Sequence, residues 1–219
     1  MPRLDDAHKY QLWLRNLRRN GVEVHGVDPV FTKFRADGDL LFGLVNLDAT
    51  VPEGHKILPL CFLKGEVVSV LICLMDQDTD ERYLLLVRQR RICNGALIYE
   101  HPAGMVDGTD APLDVALREV EEETGLTVRA DQVHALNAEP LFPSSGTSDE
   151  ALYFYYAELR LRREEIFRYD GQSTGSGSEN EFIQTCVVPL AEARRRVTNA
   201  CGLLNIYLYE AAIRGESPF

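Results

Sequence analysis

The chain has 219 residues, 45% hydrophobic and 26% charged, a globular composition with room for one large domain or two modest ones. Its 34 acids against 23 bases leave a net charge of −11, which disfavours DNA, RNA and other polyanions as partners. Five scattered cysteines (Cys61, Cys73, Cys93, Cys186, Cys201), with no C-x-x-C pair and no histidine at zinc spacing, exclude a disulfide framework and a zinc site and fit a reducing compartment. No run is long enough to span a bilayer. The opening "MPRLDDAHKY" lacks the apolar core of a signal peptide and carries acids that a transit peptide would avoid. The expectation is therefore cytoplasmic, with an organelle open had a leader been removed.

In chain order, "YQLWLRNL" places Tyr10, Trp13, Leu14 and Leu17 on one helix face. That predicts a helix packed on a core or a partner, with Trp13 stacked on a ligand base as the alternative. From Val22 to Val51, "VFTKF" and "LLFGLVNL" are broken by "DGD" and "DAT", which predicts a small antiparallel meander. "VPEGHK" then serves as a connector, so residues 1–58 form an N-terminal helix and meander and residues 59–219 a second domain. "EVVSVLICLM" and "RYLLLVRQRR" flank the polar "DQDTDE" and predict a hairpin. Arg88 and Arg90 at its end fit an edge strand blunted by charge. "ALIYEHPAG" predicts a strand stopped by a Pro and a Gly. Further strands are expected in "VHALNAEPLF", "ALYFYYAELRL" and "EFIQTCVVPL", and helices in "LAEARRRV" and "LLNIYLYEAAI". Strands flanking one helix, with helices at the end, indicate a mixed α/β sandwich. "RYDGQSTGSGSENE" reads as a surface loop.

The chemistry concentrates in "GMVDGTDAPLDVALREVEEETGL", Gly104 to Leu126. Asp110 can cap a helix, Pro112 fits its first turn, Asp114 suits the positive end of its dipole, and Gly125 can stop it. Leu113, Leu117, Val120 and Thr124 are expected to face the sheet. Glu119, Glu122 and Glu123 fall within an arc of about 100° on another face. Arg118 sits at i, i+4 from Glu122 and can orient it, while Glu121 points to solvent. Carboxylates so close repel one another. A solvated acidic face is the plain reading of such a run. The neighbouring arginine, the glycine stop and the upstream "PAG" favour a second one, a site for Mg²⁺ or Mn²⁺ with its hard oxygen ligands.

These residues resemble the Nudix signature, G-x5-E-x7-R-E-U-x-E-E-x-G-U with U aliphatic. Gly104, Arg118, Glu119, Val120, Glu122, Glu123, Gly125 and Leu126 fall in register, and Asp110 replaces the first glutamate. "YEHPAGMVD", "LFPSSGTSDEALYFYYAEL" and "SENEFIQTCVVPL" resemble segments of the ADP-ribose and nucleoside-diphosphate-sugar diphosphatases. "YQLWLRNL", "GVDPVFTKFRADGDLLFG" and "LLNIYLYEAAIRG" are similar to plant-type ADP-sugar diphosphatases, so the resemblance extends over nearly the whole chain. His101 stands where the pattern has an apolar residue.

The resemblance implies a Nudix-type α/β/α sandwich with a mixed sheet, preceded by a small meander and helix that serve as a dimerisation arm. It implies Mg²⁺, with Mn²⁺ as substitute, held by Glu119, Glu123 and the carbonyl of Ala103, with Glu122 at a further ion and Glu181 as an extra ligand. Glu179 would be the base that takes a proton from water, assisted by Glu122 and Arg118. Arg91 would contact the diphosphate, Glu100 would lie near the nucleotide, and Gly104 would line the site. The implied activity is hydrolysis of ADP-ribose or ADP-glucose to AMP and a sugar phosphate by a homodimer, with no nucleic-acid or membrane partner. Other substrates (GDP-mannose, a dinucleotide, capped RNA) and a non-catalytic nucleotide-sugar sensor remain as alternatives.

Overall fold

The computed structural model describes residues 2–108, 110–175 and 182–216. They fall into two compact units, one of residues 2–67, 105–108, 110 and 140–152, the other of residues 68–104, 111–139, 153–175 and 182–216.

The first unit holds helix α1 (His8–Arg19) and strands β1 (Glu23–Phe34), β2 (Leu40–Thr50) and β3 (Leu60–Leu63), paired antiparallel in the order β1-β2-β3. The meander and helix read from the sequence are both present. Tyr10, Trp13 and Leu14 are buried in a core with Leu40, Val45, Leu47 and Leu63, and Leu17 packs at its margin. Trp13 is thus a core residue. One charge enters this core. Lys9 is buried, and its Nζ donates to the carbonyls of Leu41 and Lys64, each at 3.1 Å. It lies 3.6 Å from Asp107, which Arg35 also meets at 2.9 Å. Burial pulls the Lys9 ammonium below its ordinary range, against the nearby Asp107 carboxylate.

Among the described residues the larger sheet has eight strands, in the order β10-β11-β5-β4-β9-β8, with β6 on β5 and β7 on β4. They are β4 (Glu66–Asp76), β5 (Arg82–Arg90), β6 (Leu97–Glu100), β7 (Ala103–Met105), β8 (Val133–Ala135), β9 (Ala151–Leu161), β10 (Ser173–Thr174) and β11 (Ile183–Pro189). β4 and β5 read as unbroken apolar runs because they lie in the middle of the sheet and bury both faces. β5 therefore corrects the edge-strand expectation. It is flanked by β4 and β11, and Arg88 reaches sideways to Gln184 instead of guarding an edge. Two other readings also change. "ALIYEHPAG" makes two strands because Pro102 has no N–H for the ladder, although its carbonyl accepts from Val70 N at 2.8 Å. "VHALNAEPLF" contributes only Val133–Ala135 as strand, and Leu136 N then bonds to the carbonyl of Phe154.

Helices cover both faces. Cys73 pairs with Leu84, and Leu84, Leu86 and Arg88 alternate onto that face, where Tyr209 of helix α5 (Ala200–Ile213) meets Cys73. Thr174 pairs with Ile183 on the opposite face and donates at 2.6 Å to the carbonyl of Glu123 in helix α2 (Pro112–Thr124). Helices α3 (Arg163–Ile166) and α4 (Leu190–Arg196) are also present, and α3 has no counterpart in the sequence reading.

Candidate functional site

The acidic helix is α2, and its punctuation follows the sequence with one correction. Pro112 takes the first helical position and Gly125 ends the helix at φ 69°, its N–H bonding to the carbonyl of Glu121 at 2.8 Å. The capping residue is Ala111, whose extended backbone starts the helix without a side-chain hydrogen bond, so Asp110 is not the cap. The inward face is also turned. Val115, Ala116 and Val120 are fully buried, whereas Leu113 and Leu117 are only half-buried. That rotation brings Glu123 inward, to 4% exposure, with Glu119 half-buried beside it. Glu122 and Glu121 are exposed, and Glu121 accepts from Thr127 at 3.2 Å.

Both inward glutamates meet one short backbone segment. Ala103 N donates to Glu123 Oε2 at 3.0 Å. Gly104 lies so close to Glu119 that a Cβ there would stand 2.1 Å from Oε1 and 2.5 Å from Cγ. Gly104 has no positive φ, so its lack of a side chain serves space and not backbone freedom. Arg118, expected beside Glu122, lies 4.0 Å from Glu119.

This donor set fits a hard divalent cation. Glu119 and Glu123 are one helical turn apart and both reach the Ala103–Gly104 backbone, so two carboxylates are gathered at one short stretch of main chain. Among the described residues no three His, Cys, Asp or Glu side chains form a complete cage. An ion of the Mg²⁺ type suits such a partial set, because it keeps waters and takes phosphate oxygens for its remaining positions. Glu179 and Glu181 lie outside the described residues.

A second cluster lies three residues before Ala103. Arg91 Nε donates to Glu100 Oε2 at 2.6 Å, and Asn199 Nδ2 donates to Glu100 Oε1 at 3.1 Å. Asn199 is also the N-cap of α5, its Oδ1 accepting from Gly202 N. The carbonyl of Gly202 faces His101 Nε2 at 3.2 Å. That nitrogen must therefore carry the hydrogen, which leaves Nδ1 a bare acceptor with no partner among the described residues. Burial pulls the His101 imidazole down to about 4, so it fills the apolar slot of the pattern as a neutral ring. Sequence reading missed Asn199, although an Asn just before a helical run is a cap signal.

Gly202 is confined from two sides, since a Cβ would meet Val197 Cγ1 and Asn199 Oδ1, each at 2.7 Å. Gly202→Ala is expected to cost about 1–3 kcal/mol of stability through crowding and loss of the cap. Calorimetry should show a lowered Tm, and an unchanged Tm would contradict this packing.

Comparison with known proteins bears on this geometry. A family model described as the NUDIX domain matches residues 65–202. The chain is 31% identical to "Nudix hydrolase 14, chloroplastic" of Arabidopsis thaliana over 95% of its own length and 72% of that protein's. It is 34% identical to the "ADP-ribose pyrophosphatase" of Bacillus subtilis (strain 168), over 54% of this chain and 58% of that one. A solved structure described as an ADP compounds hydrolase superposes with a TM-score of 0.60 at 16% identity, over 89% of this chain and 95% of that one, which is a likeness of fold.

Proposed function

The chain belongs to the Nudix family of hydrolases, and from that membership we propose that it cleaves the diphosphate bridge of a nucleoside-diphosphate sugar, ADP-ribose or ADP-glucose, to AMP and a sugar phosphate. The observation that carries the reading is the approach of Glu119 and Glu123 to the Ala103–Gly104 backbone. The likeness to the ADP-ribose pyrophosphatase of Bacillus subtilis supports ADP-ribose as a substrate. Nudix hydrolases generally use divalent metals. Mg²⁺, with Mn²⁺ as substitute, is the cofactor proposed here, held by Glu119, Glu123 and the Ala103 carbonyl, with Glu122 at a further ion and Glu181 adding a carboxylate. When bound, such a cation neutralises charge on the phosphate oxygens and acidifies water.

The protein's own groups do the rest. Arg91 steadies the diphosphate through its planar fork, and Glu100 stands behind it at 2.6 Å. Arg118 holds the Glu119 side chain in place from 4.0 Å. Glu179 takes a proton from the attacking water, whose oxygen forms a bond to phosphorus as the bridging P–O bond breaks. The net charge of −11 supports a small nucleotide over a long RNA as substrate. Incubation with a panel of nucleotide sugars and Mg²⁺ tests this, with AMP and sugar phosphate as the expected products. Release of other nucleotides would point to another Nudix substrate. Binding without turnover would make the protein a sensor.

Residues 1–58 are proposed as the dimerisation arm of a homodimer, next to a hydrolase domain of residues 59–219. Within those residues the β1–β2 pair exposes Val30 and Phe31, apolar side chains that a second subunit could cover. A monomeric mass by light scattering at micromolar concentration would overturn the dimer. None of the described helices is long and apolar enough to cross a membrane. Cys61, Cys73, Cys93 and Cys186 are thiols, which supports a reducing compartment, the cytoplasm or an organelle.

A further inference from the structure

Arg91 follows the end of β5, and its guanidinium is gripped from behind. Its Nε is held by Glu100, and among the described residues no acceptor takes either terminal Nη group. The carboxylate is the more buried partner, with 16% of the Glu100 side chain exposed against 41% of Arg91. Glu100 is therefore placed as a brace, with the open end of the fork left to Arg91. The other oxygen of the brace is held by Asn199 Nδ2 at 3.1 Å.

Asn199 is itself immobilised. Its Oδ1 is committed to Gly202 N at the start of α5. A parallel bridge between Tyr99 and Val197 lays this segment along β6. The Tyr99 ring lies 5.8 Å from the guanidinium carbons of both Arg88 and Arg196, which hold strand and segment together. One amide thus performs two tasks, capping a helix with its oxygen and locking a carboxylate with its nitrogen.

We propose that Asn199 is a positioning residue for substrate binding, fixing Glu100 so that Arg91 presents both Nη groups to a diphosphate already ordered. The inference rests on the reading that Arg91 binds the diphosphate of a nucleotide sugar. A long side chain held in advance avoids the ordering cost it would otherwise meet on binding. The benefit is expected to be shared by bound substrate and transition state, so it should appear in KM and not in kcat.

Two substitutions separate this role from capping. Asp and Ser are both good N-caps, so Asn199→Asp and Asn199→Ser keep an acceptor for Gly202 N while removing the donor to Glu100. Asp also sets a like charge against that carboxylate. The expected result for Asn199→Asp is a Tm near wild type, kcat within about threefold, and KM for ADP-ribose raised on the order of tenfold. Asn199→Ser should give the same pattern with a smaller rise. Calorimetric titration with ADP-ribose should show the same weakening in Kd, apart from turnover. If wild type hydrolyses ADP-ribose and Asn199→Asp leaves KM and Kd unchanged, this inference fails and the proposed function stands. If wild type neither binds nor hydrolyses ADP-ribose or ADP-glucose, both fall together.

Discussion

Glu123→Gln is expected to lower Mg²⁺-dependent turnover by about a thousandfold or more while the protein stays folded. The side chain is 4% exposed and accepts from Ala103 N at 3.0 Å. Glutamine has nearly the same shape and keeps an oxygen for that N–H, so the change is one of charge. Without the negative oxygen, a cation at this position would be held less well beside the phosphate oxygens, where charge develops, and several kcal/mol of barrier return. Stability should move the other way in metal-free buffer. Glu119, Glu122 and Glu123 are mutually repulsive on α2, and removing one of a like-charged pair relieves a few tenths of a kcal/mol. Thermal unfolding in chelator should therefore place Tm at or slightly above that of wild type. A turnover within tenfold of wild type would remove Glu123 from the site.

Gly104→Ala should inactivate by geometry alone. The new Cβ would stand 2.1 Å from Glu119 Oε1 and 2.2 Å from its Cδ, far inside contact distance. The backbone there has no positive φ, so alanine adds no strain of its own. The clash is with the end of a flexible side chain that is 18% exposed, and Glu119 can swing away at small cost to the fold. A carboxylate displaced by 1 Å or more no longer meets a ligand set built on Ala103 and Glu123, and a loss of about a hundredfold or more in kcat follows. The signature is a nearly unchanged Tm with a collapsed rate. Full activity in this variant would show that Glu119 does not act from its observed position.

The two variants also mark where sequence reading succeeds and where it stops. The span of α2 was legible because Pro112 and Gly125 are local signals with local causes. The helix wheel showed that three glutamates share an arc but not which part of the arc turns inward. The expected stripe relied on the large Leu113 and Leu117, while the sheet took the smaller Val115 and Ala116 and drew Glu123 in with them. Strand order is a long-range property, and so Arg88 and Arg90 at the end of an apolar run suggest an edge where the sheet in fact continues to β11. Asn199 shows the same limit. Its capping role is written beside it in the chain, but its partner Glu100 is 99 residues away.

In the proposed function, the carboxylates of α2 and the Ala103 backbone take up a divalent cation that grips a diphosphate. Titration calorimetry with Mg²⁺ and with Mn²⁺, each with and without ADP-ribose under conditions of slow turnover, tests it most directly. Saturable uptake that strengthens when the nucleotide sugar is present, and weakens in Glu123→Gln, is the predicted result. No uptake of either ion, with or without the nucleotide, would contradict the account.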